Sequence, residues 1–394
     1  MATAFLGDPA GDRADAWIRA LGPSWDAERA WGARDGGQWV ATLRSEPRQL
    51  SVPGPGGETI DIVADAVTNV TVAATHRRRG LMSQMMLDSL RSARERGEAV
   101  SILIPAQWPI YGRFGYSPAT LSTDYVLRRS RSGAAPAGDP NRVRQVELEE
   151  FAHAAPAVFA AARRLRAGQI DRDATWWNRV LGLEGYTAAE ELPHNWLLHE
   201  GPDGPDGLVA WKATGEMRLV PPLATVEVWE LASATGGAYR DLWAYLAGID
   251  MIDELKLFNR PVDEPVRWLL PDARTLLPTR QVDFTWLRLL DVPSALAARR
   301  YAIDAEIVLE VVDDELVSGR YVLHAQGDHA ECQITSRSPD VEIAQRALAS
   351  IYLGGFRLAQ LALAGGVREL VPGARERLDL MFSTPLPPWN ATWF

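Results

Sequence analysis

Two runs of β-branched and aliphatic residues enclose one amphipathic stretch near the start of the chain. The first run, at 66–72, is typical of a central strand, and the second occupies 99–104. From Gly80 to Arg96 the apolar residues recur at helical spacing, and Gly97 suits the position just after a helix. This order predicts a β-α-β unit with parallel strands and a right-handed crossover. The first part of the chain is therefore expected to fold as a mixed α/β domain.

A similar pattern recurs in the middle of the chain. Strand-like residues at 227–231 precede a turn of small residues at 232–237, an amphipathic stretch from Tyr239 to Leu246 and a second apolar run at 255–258. Such similarity indicates a degenerate internal duplication. The alternative is that two unrelated α/β segments share a common motif.

Two changes in composition divide the chain. Small residues and prolines at 130–140 predict a linker. Further on, a strand-like run at 284–290 leads into a helix for which Ser294 is a candidate cap. The sequence therefore predicts three segments, 1–130, 141–283 and 284–394. Three domains suit a chain of 394 residues, since a domain usually holds about 100–200.

Composition excludes several classes of function. The chain has 41 basic and 51 acidic residues, and a net charge of −10 argues against nucleic-acid binding. A single cysteine, Cys332, excludes an intrachain disulfide, and the six histidines lack ligand-like spacing, so no metal is predicted. The N-terminus lacks a signal-like pattern, and no run of about 18 apolar residues occurs. We therefore expect a cytoplasmic protein that does not bind membranes.

A basic turn lies between the first predicted strand and its helix. It contains Arg77, Arg78 and Arg79, followed by Gly80. The free N–H groups of a helix's first turn and the positive end of its dipole can hold a pyrophosphate, and glycine lets the backbone approach closely. The alternative is a solvated basic turn. The glycine spacing of dinucleotide-binding and P-loop motifs is missing.

The turn resembles R-x-x-G-x-[GA], the acyl-CoA pyrophosphate loop of the GNAT acetyltransferase superfamily, although Met82 stands where glycine or alanine is usual. The longer blocks 70–82 and 110–119 resemble the Eis (enhanced intracellular survival) N-acetyltransferases, with Ala74 in place of a common proline. Segments 289–301 and 350–355 resemble the C-terminal domain of that family. The resemblance implies an α/β (α+β) protein in which tandem GNAT folds, the second without a pyrophosphate loop, precede a sterol-carrier-protein-like α/β domain. It also implies a homo-hexamer.

The resemblance assigns acetyl-CoA contacts to three groups of residues. The first group is a strand edge whose backbone would bond the pantetheine amides. The second group is a pyrophosphate cradle, and the third is a pair of residues after the next strand. In this order they are Val70, Thr71 and Val72; Arg78, Arg79, Gly80, Leu81, Met82 and Ser83; and Ala106 and Gln107. The third group departs from the usual residues of the family.

Catalytic roles follow from the same resemblance. Tyr111 matches the position at which a phenol serves as general acid, and a phenol of pKa ~10 keeps its proton at neutral pH. Tyr116 is the alternative, better suited to packing. In the Eis family the C-terminal carboxylate reaches the active site, and here Phe394 would supply it. An α-carboxyl of pKa ~3.3–3.7 needs burial to act as a base, or orients an amine through water. The alternative is a terminus docked by aromatic rings.

The acceptor is expected to be cationic. The chain is predicted to acetylate amines of a polycationic small molecule, such as an aminoglycoside or polyamine, or protein lysine. Near the N-terminus, Asp26 and Glu28 lie in the region that borders the amine pocket in the family. The alternative is that they are solvated surface charges. The tryptophans that could line such a pocket, or that belong to the core, are Trp17, Trp25 and Trp31.

Two further expectations concern roles outside the acceptor pocket. His76 is expected to position the basic turn.

A non-enzymatic acyl-CoA or lipid-binding module is the alternative function, because the fold of the C-terminal domain does not establish a ligand. The sequence does not name the acceptor or the position acetylated.

Overall fold

The computed structural model describes residues 22, 25–128, 136–183, 191–215 and 224–394. Trp17 and most of the predicted linker at 130–140 lie outside these residues. The described residues form three β-sheets with helices packed on them. They form a mixed α/β protein, as predicted.

The first sheet contains the predicted N-terminal β-α-β unit. Numbered along the chain, its strands are β1 (Ala30–Asp35), β2 (Gln38–Pro53), β3 (Thr59–Val72), β4 (Val100–Leu103), β5 (Ser117–Pro118) and β13 (Trp286–Leu289). Their order is β1-β2-β3-β4-β13-β5. Helix α1 (Leu81–Glu95) joins β3 to β4, which pair in parallel, and the short helix α2 (Trp108–Tyr111) follows β4. The β-α-β prediction is confirmed.

The second sheet repeats this arrangement. Its strands are β6 (Leu121–Arg128), β7 (Val143–Val146), β8 (Asn195–Gly201), β9 (Gly204–Thr214), β10 (Ala224–Ser233), β11 (Ile252–Arg260) and β12 (Leu276–Asp283), and its helices are α3 (Leu148–Arg163), α4 (Ala174–Val180) and α5 (Gly236–Gly248). The strand order is β12-β6-β11-β10-β9-β8-β7. Helix α5 joins β10 to β11, which again pair in parallel. The second β-α-β pattern is also confirmed.

The third sheet belongs to the C-terminal part of the chain. Its strands are β14 (Ala305–Val312), β15 (Gly319–Gln326), β16 (His329–Ile334), β17 (Val341–Ala344) and β18 (Val367–Glu369), in the order β16-β15-β14-β17-β18. The helices in this part are α6 (Val292–Ala297), α7 (Gln345–Ile351), α8 (Leu358–Leu363) and α9 (Ala374–Phe382).

Two strands pair outside the segments in which the sequence placed them. β6, from the predicted segment 1–130, joins the second sheet, and β13, from the predicted segment 284–394, pairs with β4 and β5 in the first. All four residues of β13 are buried, because both its faces are covered. The hydrophobic pattern identifies such a strand but not the sheet that it joins. The exact domain boundaries stay a prediction.

Two apolar clusters lie on opposite faces of the first sheet. Successive residues of a strand point to opposite faces, and in β4 Ile102 belongs to one cluster and Leu103 to the other. The first cluster continues into the C-terminal domain through Leu309 of β14. The second contains Met86 and Leu90 of α1, which the helical spacing predicted to be buried. The C-terminal domain and α1 therefore cover different faces of the first sheet.

The cap of α6 differs from the prediction. Ser294 was expected to cap this helix, but Asp291 occupies the N-cap position and its carboxylate accepts a hydrogen bond of 2.8 Å from the backbone N–H of Ser294. Asp291→Ala should therefore lower the free energy of unfolding by about 1 kcal/mol. Ser294→Ala is the matched control and should change it little. Urea denaturation of both variants measures the difference, and a larger loss in Ser294→Ala would contradict the assignment.

Candidate active site

A gap opens between β3 and β4 at one end of the first sheet. Their parallel ladder ends at Ala66 and Ile102, whereas β3 continues to Val72. On its other side β3 still pairs with β2 at Thr71 and Val72. Within the described chain, the backbone of Val70–Val72 has no strand partner on the β4 side. Its free N–H and C=O groups suit an extended ligand with amide groups, such as a pantetheine arm.

A β-bulge in β3 accompanies the gap. The register between β2 and β3 shifts between Thr42 and Arg44, and Asn69 adopts a positive φ of 55°. The Thr42 hydroxyl donates a 3.1 Å hydrogen bond to the Asn69 carbonyl and lies 2.8 Å from the Thr71 hydroxyl. A bulge bends its strand and increases the local twist. The bulge therefore explains why β3 separates from β4 before β3 ends at Val72.

The basic turn leads directly into α1. Arg78 and Gly80 have positive φ values of 64° and 79°, and Gly80 occupies the N-cap position. No side chain among the described residues caps this end of the helix. Because Leu81, Met82 and Ser83 form its first turn, their N–H groups lack intrahelical partners. Arg77–Gly80 are exposed. The geometry thus provides free N–H groups, a helix dipole and cationic side chains for a pyrophosphate.

His76 ties the basic turn to β1. Its Nε2 lies 2.9 Å from a carboxylate oxygen of Asp35, and its Nδ1 lies 2.8 Å from the Thr75 hydroxyl. The hydrogen bond with His76 lowers the pKa of Asp35. The Arg79 guanidinium also donates to the Thr75 carbonyl at 3.3 Å. These contacts fit the expected role of His76 in positioning the turn.

Tyr111 ends helix α2 beside the same sheet. Its side chain is 7% exposed, and burial raises the pKa of its phenol, which favours the protonated form. In the part of the chain that the structure describes, no hydrogen bond engages the Tyr111 hydroxyl. The helix is anchored by Trp108, whose ring packs edge-on against Trp286 of β13 at 4.9 Å. Ala106 and Gln107 precede this helix and are exposed.

Tyr116 lies in a buried polar network behind Tyr111. The two rings pack edge-on at 6.4 Å, and the Tyr116 hydroxyl lies 2.6 Å from that of Ser101, which is 2.9 Å from a carboxylate oxygen of Asp65. Burial raises the pKa of Asp65 to about 6. Tyr116 is fully buried, which agrees with its expected packing role. Sequence reasoning missed the network, although an aspartate within the apolar run of β3 was a signal for it.

The C-terminal segment 389–394 runs between the first and second sheets. The Trp389 N–H donates to the Ala167 carbonyl at 3.0 Å, and Trp176 of α4 donates from Nε1 to the Trp393 carbonyl at 2.8 Å. Trp393 also packs edge-on against Phe284, two residues before β13. The half-buried Phe394 packs on the apolar cluster shared with the C-terminal domain.

The structure does not join Phe394 directly to Tyr111. Tyr111 belongs to the cluster on the α1 face of the first sheet, whereas Phe394 packs on the opposite cluster. Among the described residues, no hydrogen bond or ring contact links the two. Tyr111 and Phe394 nevertheless lie near the same end of the sheet, where β13 begins. Trp393, the neighbour of Phe394, contacts Phe284, and Trp108, in the helix of Tyr111, contacts Trp286.

Comparisons with known proteins identify this architecture. Models of an acetyltransferase (GNAT) domain match residues 1–119 and 168–289, and a sterol carrier protein domain model matches 292–391. An N-acetyltransferase of Streptomyces griseus is 37% identical over 375 residues, which cover 92% of this chain and 89% of that protein. The N-acetyltransferase Eis of Mycobacterium tuberculosis is 31% identical over 371 residues, covering 92% of this chain and 88% of that protein. This chain belongs to the Eis family of N-acetyltransferases.

A solved Eis structure shares the whole fold. Eis1 from Mycobacterium abscessus has a TM-score of 0.83 and 31% identity, covering 99% of this chain and 95% of that one. The predicted fold class, two GNAT domains followed by a sterol-carrier-protein-like domain, is confirmed. The chain is an N-acetyltransferase, and its GNAT domains imply acetyl-CoA as co-substrate. In the described part of the chain, no helix is long and apolar enough to cross a membrane.

An aromatic cavity of about 370 Å³ lies beside the C-terminal segment of this Eis-family protein. Its walls come from α4, β10, β11 and the C-terminal segment, and include Trp176, Glu227, Trp229, Phe258, Trp389 and Trp393. The described residues contain no ion pair to Glu227. Sequence reasoning missed this cavity, because its walls come from four separate parts of the chain.

The candidate residues near the N-terminus do not line the aromatic cavity. Trp25 is exposed and lies against Arg44, and Trp31 packs on the apolar cluster under α1, so neither lines the aromatic cavity. Asp26 caps a short 3₁₀ helix by accepting a 2.9 Å hydrogen bond from the Glu28 N–H. Trp31 thus packs against the core, which was the alternative for these tryptophans, and Trp25 contacts Arg44.

Proposed function

We propose that this Eis-family enzyme transfers the acetyl group of acetyl-CoA to an amine of a polycationic small molecule, such as an aminoglycoside or polyamine, or to protein lysine. The aromatic cavity beside the C-terminus carries this proposal. Aromatic faces attract cations, and the half-buried carboxylate of Glu227 adds a negative charge. A cavity of this size and chemistry suits an amine that projects from a larger molecule.

The gap in the first sheet supports the proposed position of acetyl-CoA. The free edge at Val70, Thr71 and Val72 can bond the pantetheine amides. The proposed pyrophosphate cradle combines the first turn of α1 with the basic turn, and comprises Arg78, Arg79, Gly80, Leu81, Met82 and Ser83. Ala106 and Gln107, exposed at the start of α2, complete the proposed contacts.

The proposed reaction assigns proton transfers to two groups of this chain. The amine nitrogen attacks the acetyl carbon, forming the C–N bond as the C–S bond of acetyl-CoA breaks. Tyr111 gives its proton to the departing sulfur, and its burial keeps the phenol protonated at neutral pH. The terminal carboxylate of Phe394 accepts or orients the amine proton, through water where the groups are not in contact. The packing of the half-buried Phe394 on an apolar cluster supports this role, because it holds the end of the chain in place.

Thiol release from acetyl-CoA across a panel of amines tests this function. The panel holds an aminoglycoside, a polyamine and a lysine peptide, and the protein carries a native C-terminus. We expect amine-dependent release of CoA thiol, with mass spectrometry locating the acetyl group on the acceptor. Release that no amine stimulates would overturn the proposal, since it would reflect hydrolysis of the thioester, and the absence of any release would favour a binding module.

Glu227 provides a sharper test of the acceptor cavity. Glu227→Gln should raise KM for a polycationic acceptor about tenfold, because a hydrogen bond to a charged group contributes roughly 1.5–3 kcal/mol. Glu149→Gln, an exposed glutamate of α3 in the same domain, is the matched control and should leave KM unchanged. Steady-state kinetics at saturating acetyl-CoA measures both. Equal KM values in the two variants would place the acceptor outside this cavity.

The assembly and compartment are also proposed from the family. We expect a homo-hexamer in the cytoplasm with no nucleic-acid or membrane partner. Light scattering after size-exclusion chromatography gives the mass in solution, and a monomeric mass would contradict the hexamer.

A further inference from the structure

The second sheet has a gap like that of the first. The parallel ladder of β10 and β11 ends at Val228 and Leu257, whereas β10 continues to Ser233 and β11 to Arg260. Helix α5 joins these strands as α1 joins β3 and β4. The two gaps therefore occupy equivalent places in two similar folds.

The second gap lacks the anion-binding end of the first. Helix α5 begins behind Thr235, whose side-chain oxygen accepts a 3.1 Å hydrogen bond from the Ala238 N–H. A side chain of the protein thus satisfies the N–H group that an anion would need. The turn before this helix, at 232–237, contains no basic residue. This gap is therefore poorly suited to a pyrophosphate.

The C-terminal segment lies across the second gap and contacts the end of β11. Trp389 donates from Nε1 to the Asn259 carbonyl at 3.1 Å, and the Asn259 side-chain amide donates to the Asn390 carbonyl at 3.2 Å. The Arg260 guanidinium lies over the Trp389 ring, 5.1 Å from its centre. Asn390 is fully buried and donates to the Thr285 hydroxyl at 3.1 Å, which connects the segment to the approach to β13. The segment is thus hydrogen-bonded to the end of β11 on one side and to the residue before β13 on the other.

Arg172 links this segment to β10. Its guanidinium donates to the Thr392 hydroxyl at 2.9 Å, to the Ala391 carbonyl at 3.3 Å and to the Glu230 carboxylate at 2.9 Å. Its side chain is 1% exposed. Three aromatic rings surround the guanidinium at 3.8–5.1 Å, and they belong to Phe159, Trp176 and Trp177. A cation held this tightly fixes the direction of its hydrogen bonds.

We propose that the gap of the second GNAT-like domain is the receptor for the C-terminal segment of the chain, and that Arg172 is the residue that positions it. The second domain holds a peptide where the first is shaped for a cofactor. Arg172 grips the segment two and three residues before its end, and so sets where the terminal carboxylate lies. This inference rests on the proposed role of that carboxylate in catalysis.

Thr392→Val in the full-length chain tests the inference. Valine keeps the shape of threonine but leaves the Arg172 Nε–H without its acceptor, whereas Thr392→Ser retains a hydroxyl and is the matched control. Carboxypeptidase A, which removes aromatic C-terminal residues, reports whether Phe394 is held. We expect Phe394 to be released about tenfold faster from Thr392→Val than from Thr392→Ser, the change expected when a buried charged donor loses its partner. Equal release rates in the two folded variants would overturn the inference.

Kinetics of the same variants separates this inference from the proposed catalytic role. Faster release with a lower kcat and an unchanged KM for acetyl-CoA supports both. Faster release with an unchanged kcat supports the positioning of the segment and overturns the role of the carboxylate. If Thr392→Val does not fold, Thr392→Ala, which also removes the acceptor of the Arg172 Nε–H, takes its place under the same criteria.

Discussion

Tyr111→Phe should lower kcat about 100-fold or more while the affinity for acetyl-CoA stays the same, because a positioned general acid contributes about 10²–10⁴-fold. Phenylalanine preserves the ring that packs in the cluster under α1 and removes only the hydroxyl. Burial raises the pKa of Tyr111, so the phenol keeps its proton beyond its ordinary range. The wild-type rate should therefore not fall through loss of this proton until the pH exceeds about 10. Stopped-flow or steady-state thiol release measures kcat, and calorimetry measures acetyl-CoA binding.

Tyr116→Phe is the matched control for this prediction. Its hydroxyl is committed to the buried hydrogen bond with Ser101, so its loss should reduce the free energy of unfolding by about 1 kcal/mol with little change in kcat. If Tyr116→Phe lost turnover and Tyr111→Phe retained it, the general acid would be Tyr116.

Reversal of both charges in Arg78→Glu/Arg79→Glu should weaken acetyl-CoA binding about 100-fold or more, because each of the two hydrogen bonds from a cation to an ionised phosphate contributes roughly 1.5–3 kcal/mol. Both arginines are exposed, so salt should screen the effect. At about 1 M salt, where the Debye length is about 3 Å, most of the difference from the wild type should disappear. Isothermal titration calorimetry at low and high salt gives the two affinities.

Arg91→Glu provides the control for this charge reversal. Arg91 is exposed and lies ten residues after Leu81, the first residue of α1, where it pairs with Asp88. Its reversal should leave acetyl-CoA binding unchanged. An equal loss of affinity in both proteins would mean that overall charge, and not the basic turn, governs binding.

The local pattern of the sequence was sufficient for the elements that build the cofactor gap. The β-branched run at 66–72, the helical spacing after Gly80 and the glycine at position 97 each correspond to an observed strand, helix or helix end. These features depend on neighbours within a few residues, which the sequence displays directly. The bulge at Asn69 was not visible in this way, because a bulge is defined by the register of a partner strand.

Features made by distant segments could not be derived from local patterns. The placement of β13 in the first sheet, the aromatic cavity and the contacts of Arg172 each combine residues more than 50 positions apart. A buried tryptophan such as Trp176 has the same local signature whether it fills a core or lines a cavity. Arg172 likewise gave no signal, because its hydrogen-bond partners are Glu230 and residues at the end of the chain.

The sequence by itself determined the two β-α-β units, the basic turn before α1 and, through the motifs around Arg77–Gly80 and Tyr111, the relationship to the Eis family. Only the tertiary structure decided which sheet each boundary strand joins, where β3 and β4 separate and where the C-terminal segment lies. The physical reason is that helices and strands are specified by short-range periodicity and turn chemistry, whereas strand pairing and buried polar contacts depend on which distant surfaces meet. For Phe394, only the structure shows that the side chain packs on the apolar cluster shared with the C-terminal domain.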